Sequence, residues 1–383
     1  MNEFPLPLLS IAVLSPLAGA ILALRAASVR LARIVGLLAV AVGLAASLAA
    51  LWLAVPQRAS IADPWSVPLF GAPAPLLAAD TLSCLGLSLI ASLTLFTILV
   101  APRRDLQPRQ LVRLLLLLAG ISAIYASNHL FVLVCGWALA AMLIAWAGRA
   151  GAAVRAVLTG GWLSLGGAVF LLSRDASARG AAAPFSLHEL SKSPLAHPEW
   201  AFILLMAAVL LTKGVFPFHS WVVTAFDSGP IAAAGLLANA HLGAFLIAKV
   251  AIPVMPEMAR KALPLLSDVA LFTMCYMAVL ALRERSPRRI LALLQVGQAS
   301  TILVGLESAT EAGVTGALVH WMVVAVSATT LIAVLRLLEV RTGSRLDSTR
   351  FLGLANRFPR LAVFFLIAGL ALVGLPGTLG FIA

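Results

Sequence analysis

The sequence predicts an all-α polytopic membrane protein of about twelve transmembrane helices, and three observations carry that reading. Hydrophobic residues make up 62% of the 383-residue chain and charged residues only 11%, where a soluble domain carries about 25% charged residues. Mean hydropathy is +1.04. Most apolar blocks run roughly 17 to 25 residues, the length a helix needs to cross about 30 Å of hydrocarbon.

Hydropathy and loop charge place these helices at 6–24, 31–54, 79–101, 112–127, 129–147, 153–173, 198–224, 230–254, 263–282, 290–307, 313–337 and 361–383. The longest polar connections, 55–78 and 174–197, lack the composition of a folded domain. The basic residues sort by side. Nineteen arginines follow the first, third, fifth, ninth and eleventh stretches, among them Arg25, Arg103, Arg149, Arg288 and Arg336, against six Lys or Arg in the other loops, such as Arg58 and Lys192. The positive-inside rule then puts the odd-numbered loops in the cytoplasm and the N-terminus outside, in a bacterial-type plasma membrane. The same sorting accounts for the formal net charge of +12 without nucleic acid as a partner. Cys84, Cys135 and Cys275 lie inside apolar blocks without CxxC or His spacing, so neither a disulfide framework nor a metal site is expected. The N-terminus lacks the basic region of a signal peptide, which favours a retained first helix. The chain stops in apolar sequence at Ala383, which reads as truncation or an unusually short form.

Ionisable and broken positions at membrane depth are the functional candidates, because such groups are costly unless they face protein or water. Lys213 comes first. Pro217 has no N–H to return to the carbonyl of Lys213, so the seventh stretch should break there and line a hydrated cavity or protein interior. The rival is a kinked helix whose lysine snorkels to an interface. His241, with Asn239 two residues before it, titrates near neutrality and suits a proton relay, the rival being a histidine hydrogen-bonded in helix packing. His320 with Ser327, Thr329 and Thr330 makes a polar stripe in the eleventh stretch; Gln295 and Gln298 can hold water but cannot titrate. Lys249 reads as snorkelling from a helix end, and Asp80 and Asp268 as solvated at outer helix ends.

Three ordered motifs resemble a known family. Thr212-Lys213-Gly-Val-Phe-Pro217-Phe-His219-Ser-Trp221 followed by Asp227-Ser-Gly-Pro230 is similar to the seventh-helix signature of the antiporter-like subunits of respiratory complex I and of Mrp sodium/proton antiporters. Ser286-Pro-Arg-Arg-Ile-Leu-Ala-Leu-Leu-Gln-Val-Gly-Gln298 resembles their D-x-K-R-x-L-A-Y-S-x-x-S-Q segment, and Leu372-Val-Gly-Leu-Pro376-Gly-Thr-Leu-Gly-Phe381 their broken twelfth helix. The resemblance implies inverted five-helix repeats with discontinuous helices 7 and 12. On this chain that gives three N-terminal helices over 1–111, a first repeat over 112–255 and an incomplete second repeat over 256–383.

The resemblance also implies proton movement along a central axis, in which Lys213 matches the helix 7 lysine and His241 falls at or near the helix 8 position; with the polar positions read above, the expected pathway is Lys213, His241 and His320, with Pro217 and Pro376 at the breaks and His219, Asn239, Gln295, Gln298 and Asp227 in support. It implies a role in a larger complex, with other membrane subunits or a soluble subunit as partners, and no catalytic chemistry or cofactor of its own. Two departures stand out. The family's helix 5 glutamate, the partner of the lysine, falls at Ala138, and no lysine lies between His320 and Arg336. The family's helix 12 charge would come just past Ala383. Two alternatives accompany the reading: a membrane subunit of an inorganic-carbon uptake complex, and a degenerate subunit that only anchors partners.

Overall fold

The computed structural model describes residues 2–3, 6–57, 60–63, 74–147, 151–192, 195–308, 310–347, 349 and 351–382. Arg58, Arg149, Arg350 and Ala383, which entered the charge count and the reading of the chain end, lie outside the described residues. The first six membrane helices are α1 Leu8–Leu24, α2 Val29–Gln57, α3 Thr81–Val100, α4 Pro108–Ala126, α5 Leu130–Ala145 and α6 Ala152–Ala178. The seventh stretch is split into α7 Pro198–Lys213 and α8 Ser220–Ser228. Beyond it lie α9 Ile231–Asn239 and α10 Leu242–Leu246, then α11 Pro256–Arg283, α12 Pro287–Glu307, α13 Glu311–Thr342, α14 Pro359–Val373 and α15 Leu379–Ile382. Among the described residues, eight helical stretches are long and apolar enough to cross a membrane, and α1, α5 and α14 are shorter apolar helices.

Local chemistry sets many of these limits. Helices α4, α7, α11, α12 and α14 all open on a proline, which has no N–H to waste in the first turn. Helices α7 and α14 close on left-handed glycines, Gly214 at φ 69° and Gly374 at φ 75°. Pro217 and Pro376 follow within three residues, and helix resumes at Ser220 and Leu379. The two interruptions therefore share one construction: glycine cap, proline, restart.

The eighth stretch departs from the uninterrupted helix expected over 230–254. Helix α9 ends at Asn239, His241 takes a left-handed conformation at φ 47° and ψ 40°, and α10 leads into a π-helical turn over Ile247–Ala251. No proline or glycine sits at the break point, so local sequence carries no mark of it. A second departure is a patch of two-residue strands, β1 Asn2–Glu3, β2 Ile61–Ala62 and β3 Ala78–Ala79, with β1 parallel and β3 antiparallel to β2.

The stretch 231–254 is mostly buried and threads the middle of the molecule, packed on α3, α4, α7, α12 and α13. Helices α11 and α14 lie outside and expose Leu265, Phe272, Leu282, Phe364 and Ile367, the apolar periphery that lipid contact permits. Lys249, expected to snorkel, instead pairs with Asp80 at 2.5 Å. Asp80 also caps α3 by accepting from the Ser83 N–H at 2.9 Å. Burial would raise the Asp80 carboxyl, but Lys249 and the Ser83 hydrogen bonds hold it below the usual carboxylate range.

Candidate functional site

Lys213 is the last residue of α7, and the left-handed turn at Gly214 ends the helix behind it. Its side chain runs inward rather than to an interface, and the residue is 7% exposed. The lysine Nζ lies 2.7 Å from Nδ1 of His241, itself 1% exposed. An ammonium only donates, so in the charged pair Nδ1 accepts and the imidazole proton sits on Nε2. The lysine, whose family carboxylate partner falls at Ala138, thus has an imidazole partner.

The break at His241 makes this contact possible. Gly243, on the first turn of α10, lets the lysine stem pass: a Cβ there would lie 2.7 Å from Lys213 Cγ. Thr212, Lys213, His241 and Gln295 line one cavity with room for about one water molecule. Thr212 Oγ1, His241 Nε2 and Gln295 Oε1 are buried and carry no hydrogen bond among the described residues. Polar atoms so buried ordinarily have partners, and three on one small cavity form a polar junction in an apolar core.

Around the junction Asn239 joins three helices. Its Oδ1 accepts from Gln295 Nε2 at 2.7 Å, and its Nδ2 donates to Thr329 Oγ1 at 2.8 Å. His320 Nε2 lies 2.9 Å from Gln298 Oε1, and a second cavity is lined by both Gln295 and Gln298. Lys213, His241, Asn239, Gln295, Gln298 and His320 are thereby brought into one connected region. The expected stripe in α13 divides instead: Thr329 faces Asn239, while Thr330 bonds back to Val326 O in its own helix.

Two supporting residues lie elsewhere. His219 sits among Phe216 and Tyr276, ring centroids 6.3 and 5.7 Å away, without reaching the lysine. Asp227, next to last in α8, pairs with Arg345 at 3.3 Å. Pro376 lies in the second interruption, where the residue matching Lys213 before the glycine is Val373.

Sequence reasoning missed a chain of ion pairs at the arginine-rich end. Arg288 Nε and Nη2 donate to the two Glu339 oxygens at 2.8 and 2.6 Å, and Arg336 bridges Glu339 to Asp105, 2.6 Å from both Asp105 oxygens. Arg288 and Glu339 are both buried. The only local signal was the i,i+3 spacing of Arg336 and Glu339. A cavity lined by Asp105, Arg336, Gly235 and Thr329 runs from these ion pairs to Thr329, the partner of Asn239.

The family profile described as NADH:quinone oxidoreductase/Mrp antiporter, TM, matches residues 127–383. The chain belongs to this family. Within it, the chain is similar to NADH-quinone oxidoreductase subunit M of Rickettsia conorii, 29% identical over 187 residues, which are 48% of this chain and 37% of that relative. The chain thus matches little more than a third of that relative's length. A chain of respiratory complex I from Thermus thermophilus with bound NADH superposes with a TM-score of 0.83 at 26% identity, covering 98% of this chain and 80% of its own. A chain of the Mrp complex from Dietzia sp. DQ12-45-1b shares the fold, with a TM-score of 0.79 at 21% identity over 96% of this chain and 71% of its own. The family match and the superpositions agree with the polytopic helical architecture.

Proposed function

We propose that this chain is a proton-conducting membrane subunit of a multi-subunit complex, working through the Lys213–His241 pair. The observation that carries the proposal is the 2.7 Å contact of two buried ionisable side chains on a polar cavity inside the bundle. An imidazole can take the lysine proton at Nδ1 and release the one on Nε2, so a proton passes through the ring without the ring moving. Gln295 and Gln298 offer water-holding amides beyond Nε2, leading towards His320. The cavity between Asp105 and Thr329 supports entry from the arginine-rich face. With that face in the cytoplasm, as the loop arginines indicate, the N-terminus lies outside a bacterial-type plasma membrane.

Membership of a family that includes complex I and Mrp subunits supports other membrane subunits as partners. The matching glycine–proline interruptions support a repeat boundary near residue 255, with 1–111 as preceding helices. The test is proton flux in proteoliposomes holding the complex, followed by a pH-sensitive dye. Lys213→Ala should cut flux about tenfold or more. Undiminished flux in that variant would remove the assigned role. Flux surviving replacement of both Lys213 and His241 by alanine would mark the chain as an anchor.

A further inference from the structure

The carbonyls at the break in the eighth stretch are capped by side chains from remote helices. In an uninterrupted helix the carbonyls of Asn239 and Ala240 would accept from the N–H groups of residues 243 and 244. Here the left-handed turn at His241 separates them from those donors, and Phe245 N–H returns to His241 O at 3.1 Å to restart the helix. The Tyr125 hydroxyl, from the end of α4, donates to Ala240 O. Trp321 Nε1, from α13, lies 3.4 Å from Asn239 O.

Both donors are themselves fixed. Tyr125 is 1% exposed, and its ring packs edge-on to Phe245 at 4.9 Å and against Trp321 at 6.1 Å. Gly86 leaves space for it, since a Cβ there would come within 2.9 Å of the Tyr125 ring. Trp321 places its indole edge-to-face on the His241 imidazole at 5.9 Å and 80°. A left-handed backbone at a residue with a side chain persists only where its surroundings over-determine it, and these contacts do so.

We infer that Tyr125 and Trp321 are positioning residues: by capping the carbonyls of Ala240 and Asn239 they hold the left-handed turn that aims His241 Nδ1 at Lys213 Nζ. Without the caps, those carbonyls regain satisfaction by closing the helix through His241, which swings the imidazole off the lysine. Tyr125→Phe keeps its ring and removes only the donor, while Trp321→Phe removes the indole N–H together with part of the ring that packs on His241.

The inference rests on the proposed role of the pair, so one readout uses flux and another does not. In the assembled complex, Tyr125→Phe should lower proton flux at least about tenfold, and adding it to Lys213→Ala should lower flux no further, because both act on one contact. With ¹⁵N-histidine labelling, the signal lost in His241→Gln should identify Nδ1 as the hydrogen-bond-accepting nitrogen in the unaltered chain. Tyr125→Phe and Trp321→Phe should mix the tautomers. An unchanged His241 spectrum in both variants, or independent losses in the double variant, would overturn the inference. Should one variant fail to assemble, the spectrum of the other decides. Lys213→Ala with undiminished flux would remove the conduction reading yet leave the spectrum to judge the positioning role.

Discussion

His241 is the non-glycine residue with a positive φ among the described residues, and its conformation and chemistry can be separated by substitution. A left-handed backbone costs an ordinary L-residue roughly 1–2 kcal/mol, whereas glycine adopts it freely. His241→Gly should therefore keep the melting temperature of the complex close to that of the unaltered protein while reducing proton flux about tenfold or more. His241→Val should lower the melting temperature as well, since a β-branched residue tolerates that region poorly. Calorimetry and the dye assay on the same preparations check both outcomes. Lys213 was legible because Pro217, four residues on, has no N–H to return to its carbonyl and so announces a broken helix. Its partnership with His241 was not, because a contact between residues 28 apart depends on how two helix ends meet.

Helix ends also decide which small residues are indispensable. At Gly243 an added methyl would meet the Lys213 stem at 2.7 Å, an atom on a flexible side chain. Gly243→Ala should thus leave the chain folded, displace the amine from His241 and lower flux; flux equal to the unaltered protein would show that the stem has another course. Gly214→Ala faces both φ 69° and a contact at 2.8 Å with Val222, so its effect should appear as instability of the complex. The Asp80–Lys249 pair ties the start of α3 to the π turn. The Asp80 pKa is lowered in the folded state, so its contribution is present above the unfolded value near 4 and is lost as pH falls through the lower folded value. The thermal penalty of Asp80→Asn should be full at pH 7 and fade below about pH 4. The interruption of α7 was readable from a proline that cannot donate. The one at His241 was not, because its carbonyl caps come from 115 and 82 residues away.

Across the whole molecule, hydropathy with loop charge located the membrane stretches, since crossing hydrocarbon fixes both their length and their composition. The arginine count implies an orientation but not the chain of ion pairs joining Arg288, Glu339, Arg336 and Asp105, which needs three separate segments to converge. Removing one partner from a buried ion pair costs about 3–5 kcal/mol, because the other charge stays behind uncompensated. Glu339→Gln should accordingly lower the melting temperature of the complex more than Glu257→Gln, whose partner Arg260 is exposed. The inferred orientation predicts that Ser344→Cys reacts with a membrane-impermeant thiol reagent only from the cytoplasmic side. Asp105 follows the three N-terminal helices, while Arg288, Arg336 and Glu339 stand in the later half of the chain. This chain of ion pairs therefore ties early and late parts of the molecule together past the end of α3, as the Asp80–Lys249 pair does at its start.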